Sequence, residues 1–179
     1  MSQPLIHIDS RKTVTRVLTI FVLAVAAAWA VLLVRWYIGN TLAEYFNPES
    51  SGADLARMAV SLAPDDPLTH WRLADFTERK LPIDEIGAAI QEYEVAVSLS
   101  PFDYRYWMAL GRALEQAGEM ERGERALRRA VELAPSYSYP RWYLGNLLLR
   151  NERYDEAFHE LRQASEADPE FRSQLFNLA

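Results

Sequence analysis

A recurrence at 34 residues constrains this chain more than anything else in it. Between Ser138 and Pro169, the residues Leu144, Gly145, Leu148, Ala157, Leu161, Ala164 and Pro169 fall where two antiparallel helices would meet. Helices approach closely only where a small side chain yields space, so Gly145 and Ala157 are the expected contact points. Asn151, Glu152 and Arg153 supply a polar turn, and Pro169 ends the second helix because it has no backbone N–H to donate. One such hairpin cannot bury its own apolar face, so copies should stack on either side of it. Thirty-four residues earlier the same positions hold Leu110, Gly111, Ala130 and Pro135, and Trp107 completes a W-x2-L-G signature. A further step reaches Ala96 and Pro101, preceded by Tyr93 and Ala89, with Leu73 and Ala74 in the Leu-Gly positions. Three extra residues there widen the turn around Lys80, Leu81, Pro82 and Ile83.

From about Pro67 to Pro169 this pattern resembles the tetratricopeptide repeat (TPR) family, in the form found in membrane-anchored bacterial proteins. The resemblance implies an all-α chain: one N-terminal transmembrane helix followed by an α-solenoid of about three to four helical hairpins. The repeats would occupy residues 67–103, 104–137 and 138–171. Residues 47–66 would hold the second helix of a partial first repeat. Residues 172–179 would start a further repeat or a capping helix, since Leu175, Phe176, Asn177, Leu178 and Ala179 match Trp107 to Gly111. That end is neither long nor polar as a cap normally is, so a natural chain that runs on is the alternative.

The N-terminal expectation rests on Val17 to Val34, eighteen positions without a charge. As a helix this stretch spans roughly 27 Å, the thickness of a bilayer core. Arg11, Lys12 and Arg16 precede it, whereas Glu44, Glu49 and Asp54 follow Arg35. Residues 1–16 then form a cytoplasmic tail, residues 17–38 cross the inner membrane once, and the repeats lie on the periplasmic side. Trp36 and Tyr37 stand where an interfacial aromatic pair anchors the exit. A cleaved signal peptide competes with this reading, because Ala24-Val25-Ala26 and Ala28-Trp29-Ala30 have the small-x-small form of a cleavage site. Apolar residues nevertheless continue beyond both, through Val31 to Val34.

Just past this stretch, Arg35 to Asn40 reads RWYIGN, while Arg141 to Asn146 reads RWYLGN. Ala59 and Pro64 also match Ala164 and Pro169 to within one residue. On that alignment the end of the membrane helix, as far as residue 46, is itself the first helix of a repeat. Asn47-Pro48 breaks it, and Ala53 to Leu62 form its partner. An interfacial belt alone would produce half the match, and both readings can hold together.

The chain has no cysteine, which removes thiolate metal sites, cysteine nucleophiles and disulfides. Its net charge of −6 divides unevenly: residues 1–35 hold Arg11, Lys12, Arg16 and Arg35 against Asp9, so the acidity belongs to the body. An acidic body argues against nucleic acid, whose phosphates need a basic face. His7, His70 and His159 are too dispersed for a shared metal site. Gly111, Gly123 and Gly145 are accounted for by packing, and no phosphate-binding loop is present. Pairs such as Glu92 and Glu94, and the run of Glu119, Glu121 and Glu124, belong to solvated helix faces. Arg122, Arg125, Arg128 and Arg129 beside Glu121, Glu124 and Glu132 give surface ion pairs. The expectation is therefore no enzyme activity, no metal and no cofactor.

What remains is surface. In the TPR family the first helix of each repeat lines a concave groove. The resemblance carries that role to Leu68, Trp71, Asp75 and Glu78; to Arg105, Met108, Arg112 and Glu115; and to Tyr139, Trp142, Asn146 and Leu149. Chaperone-tail binders of the family have a lysine where Trp71, Met108 and Trp142 stand, with an asparagine four residues on. Here only Asn146 matches, so an apolar stripe for a helix or extended peptide of a protein partner is expected instead. The opposing reading makes these tryptophans core. The function implied is a membrane-anchored adaptor or scaffold for a membrane complex or secretory client. The alternative is a regulatory repeat portion of a longer protein whose enzymatic or transport domain lies outside this chain. TPR proteins of similar architecture assist translocon-linked folding, cytochrome maturation, polysaccharide export and photosynthetic assembly.

Overall fold

Glycines and alanines set where the helices of this protein touch. The computed structural model describes residues 10–45, 52–80, 86–168 and Phe171. The tail before Ser10, the Asn47-Pro48 break, Leu81 to Ile83 in the widened turn, the stop at Pro169 and the segment from residue 172 onward lie outside the described residues. Within them, eight helices follow one another and no strand occurs: α1 (Ser10–Glu44), α2 (Ala53–Leu62), α3 (Pro67–Lys80), α4 (Ile86–Leu99), α5 (Tyr104–Gln116), α6 (Met120–Leu133), α7 (Ser138–Arg150) and α8 (Tyr154–Ala167). They pair as four antiparallel hairpins, stacked into an all-α solenoid.

Each hairpin is closed at one tight point. A Cβ placed on Gly111 would come within 2.6 Å of Leu127 Cγ, and one on Gly145 would come equally close to Leu161 Cγ. Leu127 and Leu161 are fully buried, as are Ala130, Ala157 and Ala164. In the second hairpin Ala74 fills the glycine slot, and Tyr93 stands where the later repeats have leucine. The Tyr93 hydroxyl donates to Glu78 Oε2 at 2.7 Å, so the larger ring keeps its polar end satisfied.

The turns recur with the hairpins. Before α3, α5 and α7 the chain makes the same tight turn, in which Asp66 N–H donates to Ala63 O, Asp103 N–H to Ser100 O and Tyr137 N–H to Ala134 O. Asp66 and Asp103 then cap the next helix by accepting from the backbone N–H groups of Leu68 and Arg105. At the opposite ends of α5 and α7 the chain leaves through a Schellman motif, with Glu119 N–H on Leu114 O and Arg153 N–H on Leu148 O. That motif needs a left-handed residue, which is Gly118 in one turn and Glu152 in the other.

Helix α1 is the unequal member. Every residue from Val14 to Ile38 is exposed, although the stretch is apolar, whereas Gly39 and Ala43 are buried. Those last two turns pack on α2: a Cβ at Gly39 would lie 2.7 Å from Ala63 Cβ and 2.9 Å from Ala59 O. Arg35 donates to Ser61 O at 3.1 Å, Asn40 Nδ2 to Asp66 Oδ2 at 2.5 Å, and Arg72 Nε to Ala43 O at 3.0 Å. The helix runs through this junction without a break. Because backbone blocks the space at Gly39, Gly39→Leu should open the α1/α2 contact at a cost of ~1–3 kcal/mol. Hydrogen exchange checks this: α2 amides should lose protection while those of α7 and α8 keep theirs, and unchanged α2 protection would refute it.

Candidate protein-binding groove

The first helix of each hairpin contributes one face to a common surface. Trp71 on α3, Met108 on α5 and Trp142 on α7 each precede a tight-packing residue (Ala74, Gly111, Gly145) by three positions, which fixes them on equivalent helix faces. All three are partly buried. The Trp71 ring lies 6.3 Å from Tyr106 and packs on the core around Ala74 and Leu110, with Arg72 stacked over it at 4.8 Å. Its indole N–H is buried without a hydrogen-bond acceptor, an unfavourable placement worth about 1–3 kcal/mol. Met108 and Leu149 pack against the cluster containing Leu127, Leu144 and Leu148. Trp142 stacks at 4.7 Å on Phe171, which also meets Tyr139 edge-on at 5.2 Å. Trp71, Met108 and Trp142 thus each lie partly against the fold and partly open, whereas Phe171 is buried.

The polar candidates are tied down within the chain. Asp75 is only 8% exposed and accepts from Arg79 Nε at 2.9 Å. Arg105 is held by the Asp103 carboxylate, which its guanidinium meets at 2.6 Å. Asn146 Nδ2 donates to Trp142 O one turn back in its own helix. Arg112 reaches Glu78 on α3 at 3.4 Å and lies 5.0 Å over the Tyr143 ring on α7. Glu115 on α5 pairs with Arg150 on α7. Leu68 and Leu149 are half-buried and Tyr139 is exposed. The surface therefore has an apolar centre, Trp71, Met108 and Trp142, beside a row of ion pairs that staple α3 to α5 and α5 to α7.

One ring extends this row beyond the residues expected from sequence. Trp36 precedes Gly39 by the same three positions and is 47% exposed, so α1 adds a ring at one end. The RWYIGN match carried that signal, although Trp36 also reads as an interfacial belt residue. At the other end Phe171, 34 residues after Tyr137, is buried and backs the Trp142 ring rather than adding open surface. On the outer helices the expected within-helix pairs form, Arg128 with Glu124 and Arg129 with Glu132, and further pairs cross between helices. Arg122 joins Glu94 of the preceding hairpin, while Arg128 and Arg153 share Glu124 and Glu156 across α6 and α8.

His70, on α3, is buried between Pro64 O at 2.8 Å from Nε2 and Glu92 at 2.6 Å from Nδ1. Both neighbours only accept, so the imidazolium is the form that satisfies both. The hydrogen bond to Glu92 raises its pKa above the ordinary 6.5, against the opposing effect of burial. A raised folded value means the stabilisation is complete below the unfolded value of 6.5 and is lost as pH rises through the folded one. The melting temperature should fall across that interval. His70→Gln should flatten the dependence, and an unchanged pH profile in that variant would refute the assignment. Among the described residues no cluster of three or more His, Asp or Glu side chains has the spacing to hold a metal ion.

Family comparisons agree with this geometry. Two tetratricopeptide repeat models match the chain, one at residues 84–138 and one at 143–171. The chain is a tetratricopeptide repeat protein. Among solved structures it is similar to a MamA RS-1 ArsTM double mutant, with 22% identity, TM-score 0.62, and 78% of this chain and 75% of that one covered. It is also similar to MamA 41-end from Desulfovibrio magneticus RS-1, at 20% identity and TM-score 0.62 over 76% and 75% of the two chains. A further MamA crystal structure covers 84% of this chain and 86% of its own, at 18% identity and TM-score 0.63. At these identities the likeness concerns the fold. The search of curated proteins gives no match. For this TPR protein, the repeats mark it as a protein-interaction module.

Proposed function

We propose that this TPR protein is a non-enzymatic adaptor, held in a bacterial inner membrane by α1, that binds a protein partner in the groove running from Trp36 to Trp142. The observation that carries the proposal is the double character of α1. Its apolar stretch is exposed throughout, and its last two turns are built into the first hairpin. An apolar helix face of that length is stable in a bilayer and unfavourable in water. Arg11, Lys12 and Arg16 on one side and an acidic body on the other favour a cytoplasmic N-terminus with periplasmic repeats. The groove suits an apolar helix or extended segment of a membrane-complex subunit or secretory client, because its charged groups are already paired within the chain.

Cysteines at Ser2 and Ala117, in a chain that otherwise has none, should label from opposite sides of the membrane. Labelling of both from the cytoplasmic side would overturn the orientation. A mature mass lacking the first 30 or so residues would replace the anchor with a cleaved signal peptide. Partner identity is tested by purification in mild detergent, with groove variants as the control described below.

A further inference from the structure

We infer that the solenoid stands edge-on against the bilayer, with the turns before α5 and α7 resting at the lipid headgroup boundary through Phe102 and Tyr137; the inference rests on the anchoring by α1 proposed above. Three observations place this edge. Arg35 bonds to Ser61 O and Asn40 to Asp66, which brings the turn before α3 level with the end of the charge-free stretch of α1. Helices α3, α5 and α7 then run side by side in one direction. Their contacts keep register: Trp71 with Tyr106 and Glu78 with Arg112, then Tyr104 with Tyr137 and Glu115 with Arg150. The turns that precede these helices therefore share one edge, and it faces the way the apolar part of α1 projects.

Two exposed rings stand on that edge. Phe102 is 79% exposed and Tyr137 57%, and Tyr137 stacks on Tyr104 at 5.1 Å. On the opposite edge the described turns Ala117-Gly118-Glu119 and Asn151-Glu152-Arg153 hold no aromatic residue, although Tyr45 after α1 and Tyr154 at the start of α8 are exposed beside that edge. It is therefore the direction in which α1 projects that singles out the edge of Phe102 and Tyr137. Rings of this kind are favoured at the membrane–water boundary, where an apolar body and a polar tip are both accommodated. Charge does not supply the attraction, since Asp65 is exposed on this edge and Arg105 is already paired with Asp103. The surface thus fits a neutral lipid boundary rather than an anionic one.

The test is the full chain in phosphatidylcholine vesicles, with Ser136→Cys carrying an environment-sensitive fluorophore and Ala26→Cys as an anchor reference. On reconstitution the Ser136 probe should shift to the blue and be quenched by lipids spin-labelled near the headgroup. The shift should persist at high salt and be lost in the Phe102→Ser, Tyr137→Ser variant, whose exposed positions leave folding intact. A Ser136 probe that stays solvent-like while the Ala26 probe is quenched by mid-chain labels overturns the edge contact and leaves the anchor standing. If both probes stay solvent-like, anchor and edge contact fall together. A Ser136 probe shielded from water but not quenched by lipid assigns the edge to a protein neighbour and overturns the inference.

Discussion

Gly145→Ala and Leu161→Ala should each destabilise the last hairpin, and the double variant should be markedly better than their sum. The added methyl of Gly145→Ala would sit 2.6 Å from Leu161 Cγ, 2.8 Å from Leu161 Cδ2 and 3.2 Å from Ala157 O. Leu161 is fully buried, so it has nowhere to move, and overpacking of this kind costs ~1–3 kcal/mol. Leu161→Ala alone leaves a cavity at ~2–5 kcal/mol. Together they exchange one methyl for the group it collides with, so the clash disappears and part of the cavity is filled. Residues in direct contact commonly couple by ~0.5–3 kcal/mol, which a double-mutant cycle on denaturant unfolding resolves. Additivity within ~0.5 kcal/mol would mean that the hairpin is not held at this point. Because each repeat leans mainly on its neighbours, the loss should begin in α7 and α8 and leave α3 and α4 protected against exchange.

Truncating the groove should act on binding first. A well-packed aromatic anchor at an interface contributes ~2 kcal/mol or more, so Trp142→Ala and Trp71→Ala should each weaken partner binding roughly thirtyfold. Met108→Ala should act in the same direction. The structure adds that these side chains are not purely external: Trp71 packs on the core cluster and Trp142 on Phe171. Some loss of melting temperature is therefore expected, and it should stay below that of Gly145→Ala. Binding measured well below the melting range separates the two effects. If the tryptophan variants unfold as badly as Gly145→Ala, or if folded variants retain full affinity, the groove is not the binding face.

The fold was legible because its information is local and repeated. Leu144-Gly145 and Leu110-Gly111 recur at a fixed interval, and a glycine that must admit a leucine leaves a mark in the sequence. The groove was less legible, for a physical reason. Helix period places Trp71, Met108 and Trp142 on one face, but it says nothing of which polar neighbours are consumed by the chain itself. Asp75, Arg105 and Arg112 stand at groove positions, yet they pair with Arg79, Asp103 and Glu78. The same holds outside the groove, where Arg122 reaches Glu94 at a separation of 28 residues, beyond any within-helix rule. Phe171 was legible as the opening of a further repeat, but its contact with Trp142 is a detail of packing that no periodicity encodes.

The unbroken course of α1 turns residue count into azimuth. Each residue of an α-helix advances 100° and 1.5 Å, and α1 carries its phase from Ser10 to Gly39 without a hinge to absorb an error. Deleting a single residue between Trp29 and Val34 would therefore rotate the whole repeat array about a quarter turn relative to the side chains of the apolar stretch. A partner that grips both the apolar helix and the groove would lose one of the two grips, while a partner of the groove alone would notice nothing.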